Sequence, residues 1–156
     1  MKLRLICVGK PASFHRAAID EYGKRIGRYL PLETIELKEE KGGRKPDPDY
    51  IRSREGERIL ERIAPRSFVI VLDERGQALS SEGVAELLNT HMVEGTSELA
   101  LIIGGAYGLS PEVKRQGDLR LSLSAMTLPH QLARMLLLEQ LYRGLTILRN
   151  EPYHNR

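Results

Sequence analysis

Glu98-Leu99-Ala100-Leu101-Ile102-Ile103-Gly104-Gly105 runs five apolar residues straight into paired glycines. A short, unbroken apolar run of this kind reads as a strand covered on both faces, the habit of parallel sheets. Ser67-Phe68-Val69-Ile70-Val71-Leu72 has the same character. Working outward, Lys2 to Val8 reads as a strand and Ser13 to Arg28 as a helix, with a second strand over Leu32 to Leu37. Gly42, Gly43, Pro46 and Pro48 make 38–50 a mobile loop. A charged helix follows from about Asp49 to Ile63 and stops before Pro65. Ser80 caps a helix to about Met92, and Ser110-Pro111-Glu112 opens a short one. Leu119 to Leu123 is the last strand, and Thr127 caps a long final helix to about Leu148, with Pro129 early in it. This alternation predicts an α/β fold: a mostly parallel sheet with helices on both faces, in one domain over 1–156.

In that final helix Leu132, Met135, Leu136, Leu137, Leu138, Leu141, Leu145, Ile147 and Leu148 spread nearly all round the axis. A helix with one solvated face confines its apolar residues to a stripe. This one therefore needs cover on more than one side, and in a short chain a second subunit is expected to supply part of it. Glu139 and Arg143 form an i,i+4 pair in the favourable order, and at a buried seam both must be matched.

Of the 156 residues 41% are hydrophobic, enough for a folded core, and no apolar run approaches the roughly 20 residues of a membrane span. The opening Met1-Lys2-Leu3-Arg4-Leu5-Ile6 is too short and charged for a signal peptide. The lone Cys7 sits in an apolar strand, which excludes an internal disulfide and reads as a small buried side chain. The expected location is the cytoplasm. A net charge of +3 permits an anionic partner without demanding one. Lys24, Arg25 and Arg28, then Lys38, Lys41, Arg44 and Lys45, then Arg52, Arg54 and Arg58 are either salt-bridged surface or a phosphate-tracking face.

No phosphate-binding Gly-x-x-x-x-Gly-Lys loop, dinucleotide fingerprint, His-Glu-x-x-His or Gly-x-Ser-x-Gly is present, and His15, His91, His130 and His154 lack metal-ligand spacing, so no metal is expected. What remains are three loops at strand ends: Leu72-Asp73-Glu74-Arg75-Gly76, Ile103 through Leu109, and Leu121 through His130. Ligands of open α/β sheets bind at such ends. Glycines there let backbone approach a ligand, and small hydroxyl residues offer donors without bulk. Each alone also reads as a tight turn; together they favour a ligand site, and an adenosine needs a slot of this kind.

Ile103-Gly104-Gly105 through Gly108-Leu109, Leu121-Ser122-Leu123-Ser124, Thr127-Leu128-Pro129-His130, Arg134, Glu139-Gln140-Leu141-Tyr142-Arg143 and Asn150-Glu151-Pro152-Tyr153-His154 resemble the ribosomal large-subunit methyltransferase H family of the SPOUT class. The resemblance spans essentially the whole chain, with the most specific motifs from Ile103 onward. It implies a C-terminal trefoil knot, a homodimer, and S-adenosylmethionine bound in the knot. It also implies methylation at N3 of a pseudouridine in helix 69 of 23S rRNA on the assembled 70S ribosome. Carried over residue by residue, Leu72, Gly104, Gly105, Leu123, Ser124, Ala125, Met126, Thr127 and Leu128 line the cofactor site. Gly144 stands where the family leads one to expect alanine, at a helix cost of roughly 1 kcal/mol, and reads as close packing. Glu112 to Leu119 matches little and receives no role.

With that reading, His154 is the group suited to accept the N3 proton, Tyr153 stacks on the base or donates to it, and Arg143 and Arg134 hold phosphate or the developing anion. Each has a plainer alternative: a terminal residue for His154, tail packing for Tyr153, and pairing with Glu139 for Arg143. His130, one turn before Arg134, is either a helix-start structural residue or a substrate contact. Two other functions stay open: a non-catalytic ribosome-binding protein retaining the fold, and a small-molecule enzyme of nucleotide-binding α/β type.

Overall fold

In the computed structural model, which describes residues 1–155, strands and helices alternate along the chain. The order is β1 Lys2–Val8, α1 Ser13–Ile26, β2 Leu32–Leu37, α2 Pro48–Leu60, β3 Phe68–Ala78, α3 Ser81–Val93, β4 Glu98–Ile103, α4 Pro111–Gln116, β5 Leu119–Ser122 and α5 His130–Leu148. The strands form one sheet in the order β2-β1-β4-β3-β5, every pairing parallel. All six residues of β4 are buried, as its central place requires.

Strand alternation sorts the core into two layers. Leu3, Leu5, Cys7, Ile70, Leu99, Leu101 and Ile103 face α1, α3 and α5. Ile6, Val8, Val69, Val71, Ala100 and Ile102 face α2 and α4 through Ile59 and Val113. Helices therefore cover both faces, as the sequence predicts. Cys7 is 1% exposed, and burial above all pushes its thiol up to about 11, so it is a packed, inert side chain.

Local chemistry sets the helix ends. Ser80 Oγ accepts from the Gly83 N–H at 3.0 Å, and Ser110 Oγ from the Val113 N–H at 3.3 Å, with Pro111 opening the turn. Asp47 caps α2 through the Asp49 and Tyr50 N–H groups. Gly144 packs α5 on α3: a Cβ there would lie 3.3 Å from the Ala85 backbone.

Two expectations are corrected. Thr127 does not cap α5. The helix starts at His130 after an extended Pro129 (φ −55°, ψ 140°), and the Thr127 hydroxyl donates to Glu74 instead. Leu72 to Gly76 is not a loop beyond a finished strand. β3 continues to Ala78, and Leu121 of β5 pairs with both Leu72 and Gln77, so 73–76 bulge out of the ladder. Gly76 is needed there, since a Cβ would meet the Arg120 carbonyl at 2.6 Å.

Candidate cofactor site and the C-terminal cluster

The bulge of β3 and the carboxyl ends of β4 and β5 open into one cavity of about 430 Å³, a size that suits a small-molecule cofactor. Leu72, Ile103, Leu109, Leu121, Leu123 and Leu128 give it apolar walls. Gly104, Gly105 and Gly108 bring backbone to its edge, and Asp73, Glu74, Ser124 and Thr127 add polar atoms.

Each wall has a local cause. The β4 turn is closed by the Gly108 N–H donating to Gly105 O at 3.0 Å, with Gly108 at φ +81°. A Cβ on Gly104 would stand 2.8 Å from the Gly108 carbonyl carbon and oxygen, so only glycine fits under this turn. From α2, Arg52 Nη1 donates to Tyr107 O at 3.2 Å and ties down the tip. Past β5, Ser122 Oγ donates to Ser124 O and the Met126 N–H donates to Ser124 Oγ, both at 2.9 Å. Thr127 Oγ1 donates to Glu74 Oε2 at 2.8 Å, joining this loop to the β3 bulge. Burial pushes the Asp73 carboxyl up, but the Arg75 N–H and the Lys114 ammonium 3.3 Å away outweigh it and hold Asp73 below the usual range. The carboxylates of Asp73 and Glu74 share this rim with the cations of Arg52 and Lys114.

Of the expected cofactor residues, Leu72, Gly104, Gly105, Leu123, Ser124, Met126, Thr127 and Leu128 line this cavity, while Ala125 is exposed and does not. His130 lines it too, with Nε2 3.5 Å from Glu39. Arg52 and Lys114 also line it: they arrive from α2 and α4, where the sequence offers Arg52 only as salt-bridged surface or a phosphate-tracking residue and gives Lys114 no role.

Arg134 stands elsewhere. It is 2% exposed and donates to Glu36 Oε2 at 2.6 Å, while Glu36 also accepts from Arg16 at 3.0 Å. The expectation of an RNA contact is corrected: a sealed guanidinium already paired to β2 ties α5 to the sheet. Burial pushes the Glu36 carboxyl up, but the hydrogen bonds from Arg16 and Arg134 prevail and hold it below the ordinary range. Its stabilisation is therefore present above the unfolded carboxylate value and lost as pH falls through the lowered one. Arg134→Met is expected to cost about 2 kcal/mol in urea unfolding at pH 7, below the usual loss for a broken buried pair because Arg16 keeps Glu36 partnered. Glu36→Gln should flatten the stability-against-pH curve as pH falls below about 5. Equal acid sensitivity in wild type and variant would refute the assignment.

The C-terminal residues form a separate cluster. Arg143 Nε and Nη2 donate to Glu139 Oε1 at 3.0 and 2.6 Å, and Tyr153 Oη donates to the same oxygen at 3.0 Å. The guanidinium lies 4.7 Å from the Tyr153 ring centre. Arg143 Nη1 is 3.2 Å from His154 Nδ1, and His154 Nε2 is 3.2 Å from Glu82. A guanidinium only donates, so Nδ1 accepts and Nε2–H faces the carboxylate. Burial first, then hydrogen bonds to Tyr22 and Glu139, raise the Tyr153 hydroxyl, which stays neutral. None of Arg143, Tyr153 and His154 lines the cavity. Arg143 is thirteen residues beyond His130 on α5, about 20 Å at the helical rise. The chain thus brings most of the expected cofactor residues together and holds its tail apart from them.

The described residues contain no group of three or more His, Cys, Asp or Glu side chains placed to hold a metal, and no helix long and apolar enough to cross a membrane.

Residues 1–154 match a family model described as "Predicted SPOUT methyltransferase". The chain is 59% identical to the ribosomal RNA large subunit methyltransferase H of Syntrophotalea carbinolica, covering 100% of both chains. It is 48% identical to the protein of the same name from Trichlorobacter lovleyi, over 99% of this chain and 100% of that one. Among solved structures, the tRNA (m1G37) methyltransferase of Aquifex aeolicus shares the fold at a TM-score of 0.57 and 18% identity, over 100% of this chain and 76% of that one.

Proposed function

Because the chain belongs to the SPOUT methyltransferase family, we propose that it methylates large-subunit ribosomal RNA with S-adenosylmethionine as methyl donor. In its finer form the reading is transfer to N3 of a pseudouridine in helix 69 of 23S rRNA on the assembled 70S ribosome. The protein works in the cytoplasm as a homodimer of a single domain, 1–156, knotted at its carboxyl end. The observation that carries the reading is the shared cavity: the bulge of β3 and the loops after β4 and β5 meet around a space of cofactor size.

The lining fits the donor chemically. Leu72, Leu109, Leu123 and Leu128 provide apolar walls for an adenine, the glycine turns and Ser124 provide backbone and hydroxyl groups for its edges, and Asp73 and Glu74 bring carboxylates to a rim shared with Arg52 and Lys114. When bound, S-adenosylmethionine supplies a methyl group already activated on a sulfonium. The chain must then hold the target nitrogen in line and take its proton.

His154, Tyr153 and Arg143 are the residues proposed for that second task. Their distance from the cavity of their own chain means that a second copy must present them. α5 supports such an assembly: Leu132 is 39% exposed, and Leu136 and Ile147 are half-buried outside both core layers. These three follow one stripe of the helix, as the sequence expectation of a subunit seam requires.

The test is transfer of tritium from methyl-labelled cofactor to assembled ribosomes, free subunits and naked 23S rRNA. Label at one pseudouridine, on ribosomes above all, is the expected result. Cofactor binding without transfer to any RNA would overturn the reading.

A further inference from the structure

Beside the cofactor cavity runs a second, open groove of about 380 Å³ between the start of α2, α4 and the edge strand β5. Arg52, Lys114, Arg115 and Arg120 line it, against a single carboxylate, Asp49. Arg52, Leu109 and Lys114 belong to both spaces, so the groove leads directly into the cavity. Its far wall is built from Pro111, Lys114, Arg115 and Arg120, in and beside the stretch Glu112 to Leu119 that receives no role from the sequence.

The fold explains why these cations point there. Leu119 and Leu121 of β5 turn to the α5 layer, so Arg120 between them turns to the opposite face, where α4 lies. Arg115 stands in the last turn of α4 and is exposed. Its only ion pair among the described residues is a loose one with Glu112 at 3.6 Å, with both side chains more than half exposed. Arg120 has no ion pair among the described residues. Arg52 is matched by Asp49 and Lys114 by Asp73, so the donors left over in the groove are Arg120 and the loosely paired Arg115. Elsewhere that matching is done: Arg25 pairs with Glu21, Arg54 with Glu57, and Arg58 with Glu40.

Resting on the reading of the cavity as a methyl-transfer site on RNA, we propose that this groove is the track for the substrate's sugar–phosphate backbone. Arg115 and Arg120 hold phosphates of the nucleotides flanking the one at the cavity mouth. Arg52 and Lys114, anchored to Tyr107 O and Asp73, couple a filled groove to the walls of the cofactor site. Phosphate contacts of this type fix register and carry no sequence information. They act by counterion release, so their signature is salt dependence.

The test uses the full chain and a fluorescent single-stranded oligouridylate as a backbone probe, with Kd measured from 50 to 200 mM salt. For Arg115→Gln/Arg120→Gln, the slope of log Kd against log salt is expected to flatten by about 1.4, at roughly 0.7 per phosphate contact on a single strand. Cofactor affinity should stay at the wild-type level, which also reports folding. The control Arg62→Gln/Arg66→Gln, in the α2–β3 turn at the opposite end of the sheet, is expected to leave the slope unchanged. Equal slopes in wild type and the groove variant, or equal flattening in the control, would overturn the proposal. If the wild type transfers methyl to ribosomal RNA and the slopes are equal, only the groove assignment fails. If it binds no RNA and transfers no label, the functional reading fails with it.

Discussion

Gly104→Val is expected to raise the Kd for S-adenosylmethionine more than about 100-fold and to abolish methyl transfer, while the far-ultraviolet dichroism stays that of the folded chain. The cause is steric. Gly104 follows the buried strand β4, and a single added carbon would stand 2.8 Å from both the carbon and the oxygen of Gly108. Those atoms are backbone, so no rotamer change relieves the contact. The 104–108 turn must open, breaking the Gly108 N–H to Gly105 O bond and moving one wall of the cavity. The other walls are held by independent ties, Thr127 to Glu74 and Lys114 to Asp73, and do not follow. Gly108 makes the contrast. It has φ +81°, but nothing lies within 4 Å of the site of its missing Cβ. Gly108→Asn, which tolerates that conformation, should cost only a few-fold in affinity. Calorimetric titration of both variants decides the matter. Affinity within threefold of wild type for Gly104→Val would mean that the cofactor does not use this wall.

What the sequence disclosed, and what it hid, divides along the range of the interactions. β4 is legible because a central parallel strand must be apolar on both faces, and its bounds match the expectation. β3 is legible only to Leu72. Beyond it the ladder resumes through main-chain pairing of Gln77 and Ala78, which leaves no mark in composition. The start of α5 misleads in a similar way. Thr127 has the chemistry of a cap, but its hydroxyl is claimed by Glu74, 53 residues earlier. Extended geometry at Pro129 delays the helix to His130. Arg134 is the sharpest case. Nothing local distinguishes an arginine meant for phosphate from one sealed against Glu36, 98 residues away. The glycine and serine loops were readable as converging on one cavity because small residues at strand ends leave room there. Arg52 and Lys114 were not, because helix surfaces rich in charge look alike until folding places one of them beside a cavity.

The same separation of tail and cavity fixes the outcome of replacing His154. His154→Ala should slow methyl transfer in single turnover on the order of 1,000-fold, within the range for loss of a positioned acid or base. It should leave cofactor affinity unchanged, since the imidazole does not line the cavity. In the free chain both ring nitrogens are engaged, Nδ1 by Arg143 and Nε2 by Glu82. Work as a proton acceptor therefore requires Nδ1 to leave the guanidinium, and Arg143 is then released to face the anion that forms. A structural tail and a catalytic tail differ in one measurable way. If the tail serves the cavity of a second copy, Gly104→Val chains and His154→Ala chains complement each other. A mixed dimer then has one site with an intact cavity from the His154→Ala subunit and an intact tail from the Gly104→Val subunit. With free exchange about half the dimers are mixed and half their sites are whole, so activity returns to about a quarter of wild type. If each tail served its own cavity, no dimer would contain a whole site and mixing would restore nothing. A rate–pH profile for His154→Ala superimposable on that of wild type would reject the imidazole as the base under either arrangement.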